Sequence, residues 1–336
     1  MEIPDLAEKL VEYLDSENEH QTNHTVKNIN EINMGWETEL FTFESTFKEG
    51  GISGHEDLVL RVFSGDNAAT KSSKEFYLMK KLDEVGYPVP PVYYLEKSGD
   101  IIGKPFIIMK RIMGKTLDAS YQNETEEVLR EGLSRLMSLF ADLHHLDPSV
   151  FMEVPDLSAF QSIQGIIDYY ENAKAQAPWM SPLLDWIKAN KPRESKEYLS
   201  LCHMDYHGMN IMVDEQNQSY VIDWGASMIC DSRLDLAWTI LLYNTFGGSM
   251  FRAPLIETYE NLGGKTGSLK FFEVVAATRR IDDFVKVTAG SGSAGLKPDI
   301  LDLMKKQKEH FLKVHDFLEE RTGFRLSKLD ELLASF

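Results

Sequence analysis

The main change in the spacing of apolar residues along this chain comes after about residue 114. Before that point, apolar residues recur mainly at every second position, which predicts strands over residues 26–63, 92–96 and 105–111. Residues 71–85 instead carry Phe, Met, Leu and Val at helical spacing. The pattern predicts a small antiparallel sheet with one main helix after its third strand, and a short amphipathic helix over residues 4–14 ahead of it.

The rest of the chain is patterned mainly as helices. Apolar residues at helical spacing predict these over residues 129–143, 163–172, 234–246, 251–261, 269–287 and 298–320. His144 and His145 fit the end of the first of them, ahead of a proline. One hairpin, with apolar runs at 211–213 and 220–222, interrupts the helices. We therefore expect an α+β, bilobal chain, with a sheet-containing N-terminal lobe at 1–111 and a larger, mainly helical C-terminal lobe at 112–336.

Charge and hydropathy exclude several classes of partner. The chain has 35 basic and 53 acidic residues, a net charge of −18, whereas nucleic-acid binding depends on Lys and Arg neutralising phosphates. An acidic surface attracts a cationic small molecule, although solubility accounts for it equally well. No apolar run approaches the roughly 18 residues of a membrane span, and the acidic start MEIPDLAEKL does not resemble a signal peptide. We expect a cytoplasmic protein that binds neither nucleic acid nor membrane; its oligomeric state stays open.

The segment LCHMDYHGMNIMVDEQNQSYVIDWG, residues 201–225, concentrates the polar side chains. Asp205 is followed five positions later by Asn210, and the apolar hairpin then leads to Asp223. Phosphoryl transfer requires one carboxylate that meets the acceptor hydroxyl, and an amide oxygen with a second carboxylate that hold Mg²⁺. The order and spacing of these three groups predict such a loop.

Two other interpretations of the segment remain open. His203, Asp205 and His207 alternate along the chain and could form the transition-metal cluster of a hydrolase. Alternatively, Asp205 and Asn210 could only cap turns, as Asx side chains often do. Both interpretations leave Asp223 and the N-terminal pattern without a purpose, so phosphoryl transfer is the favoured hypothesis.

The chain resembles the aminoglycoside phosphotransferase family, small-molecule relatives of the protein kinases. The resemblance lies in HMDYHGMN for the catalytic loop, IDWG for the metal-binding motif, DSRLDLA after it and LFADLHHLDP before it. In the first lobe it extends to LVLRV, KEFYLMKKL, GYPVPPVYYLE and FIIMKRIMG. These motifs cover residues 33–240 in the family's order. The resemblance implies a protein-kinase-like fold, ATP or GTP as phosphoryl donor, and Mg²⁺.

The resemblance also implies roles for residues around the catalytic loop. Asp205 would be the catalytic carboxylate that orients the acceptor hydroxyl and takes its proton. Asn210 and Asp223 would be the Mg²⁺ ligands. Support of the catalytic loop would come from His203, His207 and Asp235.

In the N-terminal lobe the resemblance implies a nucleotide site. Arg61 stands where the family has a strand-borne cation, usually Lys, that contacts the phosphates, and Glu75 would be its partner. The turn NMGWETEL, with Gly35, would cover the phosphates. The hinge that offers backbone groups to the base would include Met109, Lys110 and Ile112.

The acceptor cannot be read from the sequence. Asp282 and Asp283 are candidates for binding an acceptor ammonium group, although Arg279 and Arg280 just before them would also neutralise a solvated helix face. Trp224 and Asp231 follow the metal motif closely and are further candidates for the acceptor pocket.

The hypothesis of function is Mg²⁺-dependent transfer of the γ-phosphate of ATP or GTP to a hydroxyl of a small molecule, such as an aminoglycoside or amino alcohol. The alternative is a nucleotide-binding pseudoenzyme with a regulatory role. Protein kinase activity is disfavoured, because no Ala-Pro-Glu element or activation segment follows IDWG.

Overall fold

The chain folds into two units, and its computed structural model describes residues 3–32, 38–121, 125–157, 162–173, 177–288 and 305–335. The first unit contains residues 1–114 together with Val213–Gly225. The second contains Lys115–Met212 and most of the chain after Gly225.

The first unit is built around a five-stranded antiparallel sheet with the strand order β1-β2-β3-β5-β4. Its elements in chain order are α1 (Ile3–Glu17), β1 (Gln21–Ile32), β2 (Thr38–Glu49), β3 (Ile52–Phe63), α2 (Ala68–Glu84), β4 (Val92–Glu96) and β5 (Phe106–Lys110). As predicted, one main helix follows the third strand.

Helix α1 joins the core of this unit. Leu6 and Leu10 belong to the same buried cluster as Leu58 and Leu60 at alternate positions of β3. Tyr13 meets the ring of Phe106 edge to face at 5.1 Å between centroids. The predicted amphipathic helix therefore packs on the sheet through its apolar face.

Strand β1 begins five residues before the predicted strand pattern. It lies at the edge of the sheet and pairs only with β2. Most of its side chains are exposed or half-buried, so no apolar alternation marks its first part. An edge strand with two polar faces has no hydrophobic period by which it can be recognised in a sequence.

The second unit is mainly helical. The remaining elements of the chain are β6 (Gly114–Thr116), α3 (Leu117–Ser120), α4 (Glu126–His145), α5 (Ile163–Ala173), α6 (Ser181–Ala189), β7 (Leu199–Cys202), β8 (Ile211–Asp214), β9 (Ser219–Val221), β10 (Met228–Asp231), α7 (Ser232–Leu242), α8 (Arg252–Asn261), α9 (Leu269–Thr288), α10 (Lys308–Thr322) and α11 (Ser327–Ala334). In this unit β7 pairs with β10 in an antiparallel ribbon.

The predicted helices differ from the observed ones mainly at their ends. The helix predicted to reach residue 246 ends as α7 at Leu242 and continues as a π-helical turn, Tyr243–Gly247. The helix predicted over 298–320 is described only as α10, because residues 298–304 lie outside the described residues. Helices α6 and α11 were not predicted; they span nine and eight residues, too short for a clear period.

The segment Val213–Gly225 joins the first unit through specific contacts. The Val221 N–H donates to the Pro88 carbonyl at 2.8 Å. Trp224, which is fully buried, meets the ring of Tyr87 edge to face at 5.7 Å between centroids. The hairpin therefore delivers its last carboxylate, Asp223, to the unit that carries Arg61.

Over the described part of the chain, no helix combines the length and the apolarity that a bilayer crossing requires.

Candidate active site

The candidate catalytic loop, residues 203–210, connects β7 to β8, and its backbone is tied to α7. The Asp235 carboxylate accepts hydrogen bonds from the His203 N–H at 2.6 Å and from the Met204 N–H at 2.8 Å. Asp235 is completely buried, and hydrogen bonds to an ionised acceptor are stronger than those between neutral groups. The first turn of α7 thus fixes the start of the loop.

A buried relay of side chains lies behind Asp235. Nε2 of His144 lies 3.2 Å from its carboxylate, and Nδ1 lies 2.7 Å from the Tyr259 hydroxyl. Because an ionised carboxylate only accepts, His144 carries its proton on Nε2, and Nδ1 accepts from Tyr259. Burial raises the pKa of Tyr259 well above its ordinary value, so its hydroxyl stays protonated and can donate a hydrogen bond.

Sequence reasoning predicted His144 only as part of a helix end. The sequence does not reveal the relay, because its members are far apart along the chain. His144 is 91 residues from Asp235 and 115 residues from Tyr259. His144 and Asp235 each lie in a motif of the resemblance, but no local motif spans all three residues.

The relay is not a metal site, although ligand atoms of His144, Asp235 and Cys202 lie within 4.8 Å of one another. The Asp235 oxygens already accept two backbone N–H groups and the His144 N–H. Burial raises the pKa of the Cys202 thiol well above its ordinary value, which disfavours the thiolate that a metal needs. The Cys202 thiol lies 3.6 Å from the Ser200 carbonyl and 3.7 Å from the Cys230 carbonyl, so all three groups already have partners within the protein.

Asp205 presents an ionised carboxylate at the middle of the loop. Its Oδ1 accepts a hydrogen bond from Trp238 Nε1 at 3.1 Å, and its Oδ2 lies 3.7 Å from Nε2 of His207. Burial alone would raise the pKa of Asp205, but the nearby His207 imidazole and its charge act against it. Trp238 and Arg279 act in the same direction, so the pKa lies well below its ordinary range. The carboxylate is about a third exposed and can meet a substrate.

Asn210 closes the loop with a defined amide orientation. Its Nδ2 donates to the Asp205 carbonyl at 2.9 Å and lies 3.3 Å from Nε2 of His207. The amide nitrogen is thereby used, and the side-chain oxygen is the atom that can serve as a ligand. A hard oxygen of this kind suits Mg²⁺.

Position 208 of the loop requires a glycine. The Gly208 N–H donates to the Tyr243 hydroxyl at 3.1 Å. A Cβ at position 208 would lie 1.9 Å from Oδ1 and 2.6 Å from Cγ of Asp118, which belongs to α3. The loop therefore approaches α3 and the turn after α7 more closely than any side chain would allow.

Gly208→Ala is expected to lower the free energy of unfolding by about 1–3 kcal/mol through overpacking, and to lower turnover because the loop must move. Urea unfolding would measure the loss. The matched control is Gly165→Ala in α5, where the added Cβ would meet only Ser162 Oγ at 3.4 Å. Because the clash is with a side chain, adding Asp118→Ala to Gly208→Ala should recover most of the stability. No recovery in the double variant would contradict this explanation.

In the first unit, Arg61 bridges two carboxylates. Its Nε lies 3.2 Å from Oε2 of Glu75 in α2, and its Nη2 lies 2.7 Å from Oδ1 of Asp223. Complete burial raises the pKa of Glu75 to about 7, although the positive charge of Arg61 acts in the opposite direction. The planar guanidinium allows one cation to contact both partners at once, which a Lys ammonium does less well.

Asp223 sits at a strained point of the backbone. Its φ is +65°, a value that non-glycine residues adopt rarely and that clusters at functional sites. Its carboxylate is 38% exposed, and Lys74 secures the following turn by donating to the Gly225 carbonyl at 3.1 Å. An exposed, backbone-fixed carboxylate is suited to bind a hard cation.

The predicted hinge continues from β5. Met109 pairs within the sheet, and the Lys110 N–H donates to the Pro91 carbonyl at 2.9 Å. The next N–H, of Arg111, donates to the Asp57 carbonyl at 2.9 Å. Ile112 is half-buried. Gly35, predicted to cover the phosphates, lies outside the described residues.

Trp224 and Asp231, predicted to line the acceptor pocket, contact other parts of their own units. Trp224 is fully buried, and its Nε1 donates to the Val221 carbonyl at 3.0 Å. Asp231 caps α7 by accepting from the Arg233 N–H, and it pairs with the Arg233 guanidinium at 2.7 and 2.9 Å. Burial and hydrogen bonding account for both side chains.

Asp282 and Asp283 lie on α9, where the candidate acceptor contacts were predicted. Asp282 pairs with Lys286 at 2.6 Å. Burial raises the pKa of Asp283, while the charges of Arg279 and Arg280 lower it in part. The two carboxylates are thus partly neutralised by bases on the same helix.

The fold and the profile of the family together identify the class of protein. An antiparallel sheet with one main helix, followed by a mainly helical unit, is a protein-kinase-like fold. The profile of the phosphotransferase enzyme family matches residues 29–272. The chain therefore belongs to that family.

Solved structures support the fold. A putative aminoglycoside phosphotransferase from Ralstonia eutropha superposes with a TM-score of 0.70 at 18% identity, covering 93% of this chain and 98% of that one. A thermostable mutant of aminoglycoside phosphotransferase APH(4)-Ia, in a ternary complex with ADP and hygromycin B, gives 0.58 at 17% identity, covering 91% of this chain and 98% of that one. The GDP and kanamycin complex of a third such enzyme gives 0.58 at 15%, covering 89% and 94%.

Relatives in sequence include much longer proteins. Acyl-CoA dehydrogenase family member 10 of Mus musculus is 26% identical over 182 residues, which are 51% of this chain and 16% of that protein. Acyl-CoA dehydrogenase family member 11 of Homo sapiens is 27% identical over 184 residues, 52% of this chain and 23% of that protein. The chain spans less than a quarter of the length of either relative.

Proposed function

We propose that this chain is a small-molecule kinase that transfers the γ-phosphate of ATP or GTP to a hydroxyl group, with Mg²⁺ as cofactor. The observation that carries the proposal is the environment of Asp205. An ionised, partly exposed carboxylate is held at one oxygen by Trp238, on a loop whose backbone Asp235 anchors. Membership of the phosphotransferase enzyme family supports the same reaction class.

In the proposed mechanism, Asp205 orients the acceptor hydroxyl for in-line attack and accepts its proton as the new P–O bond forms. The bond from the γ-phosphorus to the bridging oxygen breaks, and the nucleoside diphosphate leaves with the electron pair. Arg61 would contact the phosphates and neutralise part of their charge. Positioning and electrostatics supply most of the rate enhancement.

We assign Asn210 and Asp223 as the Mg²⁺ ligands. Both offer oxygen atoms, the ligand type that Mg²⁺ prefers, and the orientation of the Asn210 amide leaves its oxygen for this role. When bound, Mg²⁺ neutralises phosphate charge that develops during transfer. A set of soft ligands, such as thiolates, would have argued against this assignment.

For the acceptor we propose a hydroxylated small molecule, with aminated compounds as the first class to examine. The structural relatives include enzymes in complex with hygromycin B and with kanamycin, and the net charge of this chain is −18. Asp282 and Asp283 remain the proposed contacts for an ammonium group.

Water can serve as the acceptor in a test that does not depend on the unknown substrate. The purified protein should hydrolyse ATP or GTP slowly in the presence of Mg²⁺, and EDTA should abolish the hydrolysis. A pseudoenzyme would bind nucleotide without this turnover, and that result would refute the proposal. A screen of amino alcohols, aminoglycosides and sugars for faster diphosphate release, with ³¹P NMR of the product, would then identify the acceptor class.

A further inference from the structure

Arg279 makes contacts that its position in the sequence does not suggest. The run TRRIDDF in α9 was expected to form a self-neutralising helix face. Instead, Nη1 of Arg279 donates to the Met204 carbonyl at 2.7 Å, and its guanidinium carbon lies 3.9 Å from the centroid of the Trp238 ring. One side chain of α9 thus reaches both the catalytic loop and α7.

Each of these two contacts leads directly to Asp205. Met204 is the residue before it, and Trp238 donates its indole N–H to Oδ1 of Asp205 at 3.1 Å. Trp238 is almost fully buried, at 4% exposure. The Arg279 guanidinium therefore lies against the same indole whose N–H meets Asp205.

Met204 shows why the loop needs such a support. Its φ is +65°, a left-handed conformation that a side chain such as Met rarely adopts and that persists only when neighbouring groups hold it. The Met204 N–H is held by Asp235 at 2.8 Å and the Met204 carbonyl by Arg279 at 2.7 Å. Both polar groups of the strained residue are thus fixed, one by α7 and one by α9.

We propose that Arg279 is a positioning residue, which acts through Met204 and Trp238 to aim the Asp205 carboxylate so that Oδ2 faces the acceptor hydroxyl. The inference rests on the proposed function of Asp205. It adds that α9, 75 residues beyond the loop, sets the geometry of the reaction.

An arginine suits this role better than a lysine. A guanidinium can lie flat on an aromatic ring and donate in its own plane at the same time. A lysine ammonium can satisfy the carbonyl or the ring, but it does not hold both in one fixed geometry. Arg279→Lys should therefore restore activity only in part.

The test compares Arg279→Met, Arg279→Lys and Trp238→Phe, with Mg²⁺-dependent hydrolysis of ATP or GTP as the assay. In Arg279→Met and Trp238→Phe we expect kcat to fall about 10- to 100-fold, because small displacements of a reacting group have effects of this size. KM for the nucleotide and its Kd should stay unchanged. Arg252→Met, which removes a 2.7 Å ion pair with Glu273 in the same unit, is the matched control and should keep its kcat.

A double variant separates positioning from general destabilisation. In an Asp205→Asn background there is no carboxylate to aim, so adding Arg279→Met should lower the residual single-turnover rate little further. An equal further loss in that background, a rise in nucleotide Kd, or a wild-type kcat in both Arg279→Met and Trp238→Phe would overturn the inference. If Arg279→Met fails to fold, Trp238→Phe carries the test. Wild-type turnover in Asp205→Asn alone would instead refute the proposed function.

Discussion

Asp205→Asn is expected to lower phosphoryl transfer about 10³-fold, the scale of losing a general base and its orientation. Nucleotide affinity should stay within about twofold, because the substituted atom meets the acceptor and not the nucleotide. The replacement is close to isosteric, and an amide oxygen can still accept the Trp238 N–H. Rapid-quench measurement of transfer, together with calorimetric titration of the nucleotide, would give the two quantities separately.

The matched control for this variant is Asp147→Asn. Asp147 is a carboxylate of the same unit that caps a short 3₁₀ turn by accepting from the Ser149 N–H at 2.9 Å. Its substitution should leave both turnover and binding as in the wild type. Unchanged turnover in Asp205→Asn would mean that the proton of the acceptor goes elsewhere, and the assignment of the loop would fail.

The local part of the site could be predicted from the sequence. Asp205, Asn210 and Asp223 occupy fixed positions along one short segment, and a spacing pattern detects that order directly. The partnership of Arg61 with Glu75 was also accessible, because a cation inside an apolar strand is expected to face an acidic group. The structure gives these two side chains a separation of 3.2 Å.

The resemblance already implied that Asp235 supports the loop, but the groups behind Asp235 could not be predicted, because they depend on how distant helices pack. His144 and Tyr259 reach Asp235 from α4 and α8, and no sequence period relates those positions. Trp224 shows a second limit of reasoning from position along the chain. Its place beside the metal motif suggested the acceptor pocket, whereas its side chain is buried against Tyr87. Neighbourhood along the chain does not indicate on which side of the backbone a side chain packs.

Backbone strain occurs at Met204, which directly precedes Asp205, and at Asp223. Among the described residues, most non-glycine residues with positive φ are Asn, Asp or Ser, of which Asn and Asp tolerate the left-handed region. Met204 is of a different residue type. Asp223 is of the usual type, but its carboxylate is bound by the Arg61 guanidinium at 2.7 Å. Each strained residue is fixed by a charged partner. We infer that these contacts stabilise the strained conformations of Met204 and Asp223.

Asp223→Asn is expected to weaken Mg²⁺-dependent nucleotide binding by at least about 100-fold, since even changes to groups behind a metal ligand cost 10- to 100-fold. The amide keeps an oxygen that can accept from Arg61 but loses the negative charge that attracts the cation. Binding should be measured by titration of nucleotide at several Mg²⁺ concentrations. The variant should require more Mg²⁺ to reach half-saturation, whereas binding without Mg²⁺ should change little.

The matched control for Asp223→Asn comes from the same hairpin. Asp214 accepts hydrogen bonds from the backbone N–H groups of Gln216 at 3.0 Å and Gln218 at 2.8 Å, and an Asn can replace it as an acceptor. Asp214→Asn should therefore retain the wild-type dependence on Mg²⁺. If the two variants behaved alike, the loss would reflect disturbance of the hairpin. If Asp223→Asn kept the wild-type Mg²⁺ dependence, Asp223 would not be a metal ligand.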